Sequence, residues 1–384
     1  MIKNTQSNLQ KIVVTGGHLA PALATIEQLK KLAPSAQIYF FGRKKTVEGD
    51  NAISFEFLEI SNQKIPFFEI PAGRLQRRLT KHFLISLLRI LPGFIKSLVL
   101  LLRIRPDVVL TFGGYVALPV AVASKFCQIP IIAHEQSPSL GLANKIIFKL
   151  AKLKAVSEKS LVEKGGGQNV FFTGPLLRSA IFEKKAKSQS LAKFLEKTAD
   201  EKLIYVTGGA TGSYFLNQIV KVIISDLLKK SFVIVQTGNL SQSAEFKKLL
   251  ALKANLPENL SEKFFLTEFV SSSDIGAIFA RADLIITRSG ANTTSELLVL
   301  GKVAVVIPLE WGAEQKEISK NLQKTTVFVV IDQSQAKAEK ILETVEYIFE
   351  NFGQFQEKAN KLKTKISKTG AKFFAKEILN LKLK

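Results

Sequence analysis

Cysteine and histidine are nearly absent from this chain. Cys127 is the single thiol in 384 residues, so no intramolecular disulfide and no cysteine-based zinc site is available, which suits a reducing cytosol. His18, His82 and His134 are the only histidines, too few and too widely spaced for a histidine-ligated metal centre. The dinucleotide fingerprint G-x-G-x-x-G is missing, and so is the P-loop pattern G-x-x-x-x-G-K-[ST]. No secretory signal is evident: Met1 to Gln10 is polar and leads directly into a strand pattern, as expected of a protein that stays in the cytosol. Charges and Pro92-Gly93 interrupt the most apolar stretch before about 20 clean apolar residues accumulate, which argues against a transmembrane span.

Acidic residues are also missing locally. From Ile70 to Pro106 there is none, while Arg74, Arg77, Arg78, Lys81, Arg89, Lys96, Arg103 and Arg105 alternate with apolar clusters. His82, Arg89, Lys96 and Arg103 recur every seven residues, so neighbours share a helix face. Pro92-Gly93 is expected to split the stretch into two helices. Such a sequence reads either as a basic amphipathic surface for an anionic bilayer or as a core-packing helix pair with a solvated face. The net charge of +22 is largely diffuse lysine, and no zinc-finger spacing, helix-turn-helix signal or aromatic–basic pattern points to nucleic acid.

What is present is enough apolar sequence, 46%, for two cores in a chain of two-domain length. Strand-like apolar runs alternate with helix-length segments, which predicts parallel sheets with crossover helices. The two halves open alike. Lys11-Ile-Val-Val-Thr-Gly-Gly17 and Leu203-Ile-Tyr-Val-Thr-Gly-Gly209 each read as strand, Thr-Gly-Gly turn, then helix. The expected architecture is α/β, with two Rossmann-like domains facing a cleft: residues 1–175, then 176–352 after a Gly174-Pro175 hinge. The lysine-rich segment 353–384 is expected to return to the first domain.

Arg288-Ser-Gly-Ala-Asn-Thr-Thr-Ser-Glu296 follows a buried-strand pattern and opens a helix. Its glycine and small hydroxylated residues let backbone N–H groups approach an anion at a helix N-terminus; alone it reads equally as an ordinary helix cap. A second glycine loop in the other half makes phosphate chemistry the better reading, with ligands beyond the carboxyl ends of the strands.

Several strings then resemble one family: Thr15-Gly-Gly-His-Leu-Ala-Pro-Ala-Leu-Ala24, Phe112-Gly-Gly-Tyr-Val-Ala-Leu-Pro119, His134-Glu-Gln136 with Gly141-Leu-Ala-Asn-Lys145, Gly208-Gly209 with Leu216-Asn217, Glu268-Phe-Val270 and Ala282 through Glu296. Together they are similar to the MurG family, bacterial transferases that add N-acetylglucosamine to lipid I to make lipid II. The resemblance implies a glycosyltransferase fold of the B type, an inverting reaction without metal or cofactor, and peripheral attachment to the cytoplasmic face of the inner membrane. It implies UDP-GlcNAc as donor, lipid I as acceptor, and a place in peptidoglycan synthesis, cell shape and division beside other cell-wall synthesis proteins, with no nucleic-acid partner.

Carried over by position, His18 falls where the family has a candidate general base. Thr15, Gly16, Gly17 and Ser137 would line the first domain's side. Arg178, Ala210 and Gln315 would contact donor phosphate or sugar, and Val270 would present its backbone to uracil. Ala291, Asn292, Thr293, Thr294 and Ser295 would face the diphosphate, and Glu296 the ribose hydroxyls. Arg78, Lys81, Arg89, Lys96 and Arg103 are the expected membrane contacts.

Three departures stand out. The glycine pair that usually precedes Thr-Gly-Gly-His is absent, which bears on acceptor pyrophosphate binding by that loop. Ser137 replaces an asparagine, and Ala210 replaces a serine for which Thr211 or Ser213 is a substitute. Other UDP-sugar glycosyltransferases or epimerases of the same fold, and a non-catalytic basic membrane or nucleic-acid-binding protein, are the competing readings. His134 is expected to orient its loop, and Tyr115 reads equally as packing or acceptor contact.

Overall fold

The computed structural model describes residues 9–45, 53–71, 81–163, 169–238 and 244–381, and only the backbone of 81–89. The chain divides into two compact units, Met1–Arg178 with Lys368–Lys384, and Ser179–Ser367.

Seven strands build the first unit: β1 (Lys11–Thr15), β2 (Gln37–Gly42), β3 (Phe67–Glu69), β4 (Val108–Thr111), β5 (Ile131–Glu135), β6 (Leu153–Val156) and β7 (Val170–Phe172). They form one parallel sheet in the order β3-β2-β1-β4-β5-β6-β7. Six more build the second: β8 (Leu203–Thr207), β9 (Phe232–Gln236), β10 (Phe264–Thr267), β11 (Leu284–Thr287), β12 (Val303–Val306) and β13 (Phe328–Val330), in the order β10-β9-β8-β11-β12-β13. The central strands β4, β5, β8, β9, β11 and β12 are buried along their whole length. Continuous Val/Ile/Leu-rich runs are what a parallel sheet covered on both faces selects. In each sheet the order reverses between two neighbours, β1/β4 and β8/β11. That reversal opens a crevice beyond the strands' carboxyl ends, the usual ligand position in such sheets.

Three expectations are corrected here. Helix Lys81–Ile104 continues through Pro92 and Gly93. Proline removes one helical N–H, but the side chains of Phe94, Leu98 and Leu101 beyond it pack on the core of β1 and β4, and Ser97 Oγ donates to the Gly93 carbonyl at 2.6 Å. Of the segment 353–384, only the helix Gly370–Leu379 joins the first unit. It seats Phe374 against Phe112 (ring centroids 6.2 Å) in that core. Helix Phe352–Lys363 stays with the second unit, where Gln356 Nε2 donates to the Gly301 carbonyl. The division also falls after Arg178, so that residue belongs to the first unit.

Candidate active site

In the first domain the candidate residues gather at the carboxyl ends of β1, β4 and β5. The chain leaves β1 at the buried Thr15 and turns through Gly16 and Gly17 (φ +131°) into His18, which precedes helix Leu19–Leu32. A Cβ on Gly17 would lie 2.0 Å from the Gly113 carbonyl oxygen, and one on Gly114 would lie 2.9 Å from Gly17 Cα. The two glycine turns therefore pack backbone against backbone, which side chains would forbid.

That packing brings the half-buried His18 ring to the turn after β4, where Nδ1 lies 2.7 Å from the Phe112 carbonyl oxygen. A carbonyl can only accept, so Nδ1 carries the hydrogen and Nε2 of the neutral ring keeps its lone pair. The geometry prepares a base nitrogen.

His134-Glu135-Gln136 is buried scaffolding. Glu135 accepts the Ser137 N–H through Oε1 (3.0 Å) and Asn144 Nδ2 through Oε2 (2.8 Å), tying the turn after β5 to helix Leu142–Leu150. Ser137 is itself buried. His134 packs against the rings of Phe112 and Phe374, which also touch each other, with Nε2 3.2 Å from Ser157 Oγ. Burial, with a further push from His18, lowers its pKa to about 3, so it is neutral across the physiological range. Tyr115 carries the Arg43 guanidinium over its ring, 4.8 Å from the centroid.

In the second domain the helix Ala291–Leu300 starts at the β8/β11 crevice. Gly290 caps it without a side chain, and among the described residues the N–H groups of Ala291, Asn292 and Thr293 have no acceptor. Three such groups at a helix start form an anion receptor. Thr294 is not part of it: its N–H and hydroxyl both donate to the Gly290 carbonyl, at 3.0 and 2.9 Å. Ser295 is half-buried on the next turn, and Glu296 is buried.

Behind the helix start, the buried Arg288 donates Nε to Ser213 Oγ (2.9 Å) and Nη1 to the Ile307 and Pro308 carbonyls (3.1 and 3.2 Å). It bolts together the ends of β8, β11 and β12. Burial lowers its pKa to about 10, which leaves it cationic at neutral pH. Ser213 also accepts the Leu216 N–H as the cap of helix Tyr214–Lys230. Both bonds are accepted by the oxygen, so the Ser213 hydroxyl keeps its own hydrogen to donate. Ala210 and Thr211 are exposed.

Gln315 spends its side-chain oxygen on the Leu309 N–H (3.1 Å), while its carbonyl accepts Ser289 Oγ (2.9 Å). Val270 lies just past β10. It is buried, and among the described residues no hydrogen bond engages its N–H or carbonyl. Arg74, Arg77 and Arg78 lie outside the described residues, as do the side chains of Lys81, His82 and Arg89. Lys96 and Arg103 are exposed on helix Lys81–Ile104.

Two sequence comparisons decide what these halves belong to. Residues 13–156 match the N-terminal domain of glycosyltransferase family 28, and residues 203–376 match its C-terminal domain. The chain belongs to glycosyltransferase family 28. Among curated relatives, a protein of Listeria welshimeri is 29% identical over 359 residues, 93% of each chain, and one of Treponema denticola is 30% identical over 80% of this chain and 78% of its own. Both are named UDP-N-acetylglucosamine–N-acetylmuramyl-(pentapeptide) pyrophosphoryl-undecaprenol N-acetylglucosamine transferase. The fold matches the crystal structure of Acinetobacter baumannii MurG with a TM-score of 0.66 and 21% identity, over 97% of this chain and all of that one. This family 28 chain thus has the two-domain B-type glycosyltransferase fold.

Sequence reasoning assigned no role to Arg288 or Glu56, and both hold glycine turns. For Arg288 the available signal was an arginine at the end of a strand too apolar to be exposed. For Glu56 it was an acid two residues after Ser54, a helix-start pattern.

Proposed function

We propose that this enzyme transfers N-acetylglucosamine from UDP-GlcNAc to the C4 hydroxyl of lipid I, forming lipid II for peptidoglycan. The observation that carries the choice of substrate is the activity named for relatives that align with nine-tenths of the chain. The two half-sites supply compatible chemistry.

The donor side lies beyond the carboxyl ends of β10 and β11. The Val270 backbone edge pairs with uracil, Glu296 accepts from the ribose hydroxyls, and the N–H groups of Ala291 to Thr293 take the diphosphate. As the anomeric bond breaks, charge develops on the departing UDP. The helix start, with Arg288 behind it, stabilises that charge without reorganising, and Arg178 and Gln315 complete the contacts. On the acceptor side His18 Nε2 removes the proton from the attacking hydroxyl, which inverts the anomeric centre by direct displacement. Transfer of labelled N-acetylglucosamine from UDP-GlcNAc to a lipid I analogue tests the reading. Transfer to another acceptor, or epimerisation of the donor alone, would replace it with a different activity of the same fold.

We further propose peripheral binding at the anionic cytoplasmic face of the membrane. Leu91, Ile95, Val99 and Leu102, each more than half exposed, form a stripe on helix Lys81–Ile104 beside the exposed Lys96 and Arg103. An apolar stripe flanked by cations suits an anionic lipid interface, and among the described residues no helix is long and apolar enough to cross it. Changing Arg89, Lys96 and Arg103 to Glu is expected to abolish sedimentation with anionic vesicles while leaving transfer to a short-chain soluble acceptor intact. Equal sedimentation of both proteins would return the stripe to a role in packing.

A further inference from the structure

Among the described residues, Glu56 is the one acid of the first domain whose carboxylate reaches into the candidate site's glycine turn, and the mechanism above does not use it. It sits in the first turn of helix Phe55–Asn62, whose start is docked on the segment after β2. Ser54 N–H donates to the Lys44 carbonyl at 2.8 Å, and Ser54 Oγ accepts the Phe57 N–H and donates to the Arg43 carbonyl. From there Oε1 accepts the Gly17 N–H (3.1 Å) and Oε2 accepts the Arg43 N–H (2.9 Å).

The carboxylate lies directly on two bare Cα atoms. A Cβ on Gly16 would be 2.1 Å from Oε1, and one on Gly42 would be 2.5 Å from Oε2. Burial raises the Glu56 pKa, and the Arg43 and Gly17 N–H groups and the Arg43 charge act against that rise. A carboxylate set on a glycine turn in this way performs the part that a phosphate oxygen would perform there.

We propose that Glu56 is a positioning residue for His18: it fills the anion seat of the Thr15-Gly16-Gly17 turn with the protein's own carboxylate, so that the turn aims the base and leaves the acceptor's phosphate to other groups. The proposal rests on the transferase reading above. Gly17 is the residue before His18, and its N–H is spent on Glu56. Freed from that bond, the turn would be held by the Gly16 N–H on the Phe41 carbonyl (2.7 Å) and by the contact of Gly17 with Gly113, and the His18 ring would lose a constraint that keeps Nδ1 on the Phe112 carbonyl, the bond that sets its tautomer. A positioning loss appears in the chemical step; a lost phosphate contact appears in acceptor binding.

The test uses the full chain with UDP-GlcNAc and a lipid I analogue, comparing Glu56→Gln, Glu56→Ala, Gly16→Ala and the double variant Gly16→Ala/Glu56→Ala. Glu56→Ala is expected to lower kcat roughly ten- to hundred-fold, the scale of a small misplacement of a catalytic group, with acceptor KM nearly unchanged. Glu56→Gln, which keeps the shape but offers one acceptor oxygen, is expected to fall between wild type and Glu56→Ala. Gly16→Ala displaces the carboxylate and should match Glu56→Ala, while adding it to Glu56→Ala should cost nothing more, because its harm acts through Glu56.

Nitrogen-15 NMR of the His18 ring supplies a readout independent of substrate: the Nδ1–H form in wild type, and a mixture of tautomers in Glu56→Ala. Unchanged kcat, a change confined to acceptor KM, additive losses in the double variant, or an unaltered His18 spectrum would each overturn the proposal. If wild type transfers nothing to the lipid I analogue, the transferase reading falls on its own, and the His18 spectra still decide the role of Glu56.

Discussion

The Thr-Gly-Gly turn occurs once in each domain, after β1 and after β8, and the two copies are wired differently. In the second domain Thr207 Oγ1 accepts the Gly209 N–H at 3.0 Å, so that N–H is satisfied within the turn, while the Gly209 carbonyl accepts Gln236 Nε2 at 3.2 Å and a Cβ on Gly209 would meet nothing within 4 Å. In the first domain Thr15 Oγ1 has no partner among the described residues. The matching N–H, that of Gly17, goes to Glu56, 39 positions away in sequence, and a Cβ on Gly17 would strike the Gly113 carbonyl. In one copy the second glycine's N–H is satisfied within the turn; in the other it is taken by a distant carboxylate, next to a histidine. The same seven-residue pattern therefore serves two ends, and long-range partners decide which.

The sharpest way to break this comparison is His18→Ala. If the first turn exists to aim a base, kcat is expected to fall by ~10²–10⁴, the usual contribution of general acid–base catalysis. UDP affinity measured by calorimetry should change little, since apart from Arg178 the donor contacts proposed here lie on the other domain. A parallel loss of UDP binding would mean that the first turn also holds the donor.

The next effect is on stability and concerns His134. Its folded-state pKa of about 3 lies below the 6.5 of an exposed imidazole, so between those values the unfolded chain binds more protons. Stability from this group is complete above pH 6.5 and is lost as pH falls toward 3, by on the order of 4 kcal/mol. His134→Phe, which keeps an aromatic ring beside Phe112 and Phe374, is expected to flatten that acid loss, measured as denaturant midpoint against pH. Equal slopes for the two proteins would show that the ring is not held neutral. The second domain responds at the other end of the scale. Burial lowers the Lys302 pKa to about 8, so its contribution to stability grows as pH rises from 8 toward 10.5.

Glu296→Ala probes the second copy's side. A carboxylate accepting from ribose hydroxyls makes charge-assisted bonds of ~1.5–3 kcal/mol each, so UDP affinity is expected to fall about ten- to hundred-fold. Transfer rate at saturating donor should change little. Unchanged UDP affinity would remove Glu296 from the donor site.

Which of these features could be read from sequence follows from how far their partners lie along the chain. The central strands of both sheets were legible because parallel strands covered on two faces must be continuously apolar. β3 and β6 were not: each has three or four residues and a charge, Glu69 or Lys154, at an edge or near one. The helix start at Ala291 was legible because a glycine, small residues and the following apolar run are adjacent. The exclusion of Thr294 from the N–H cluster follows from its backbone and hydroxyl geometry, which no residue type announces. Glu56 was illegible because its meaning lies in Gly17 and Arg43, across a loop whose length no pattern fixes. Pro92 misled for a related reason: the rule that proline breaks helices is local, and packing of Phe94, Leu98 and Leu101 on the core overrides it.

The smallest expected effect separates structural hydroxyls from ligand-facing ones in the second turn. Ser213 caps helix Tyr214–Lys230 and accepts Arg288 Nε, so Ser213→Ala loses a cap and leaves a buried guanidinium nitrogen with one partner fewer. Loss of a helix cap costs about 1 kcal/mol, and the remaining Arg288 bonds to the Ile307 and Pro308 carbonyls limit further damage. The expected result is a melting temperature lower by a few degrees, with UDP affinity unchanged. Thr211→Ala, at an exposed position in the same turn, should leave the melting temperature alone and is the variant able to weaken UDP binding. If Ser213→Ala instead weakened UDP binding at constant stability, its hydroxyl would donate to the phosphates, and the second turn would owe its donor contact to the helix cap and not to Thr211.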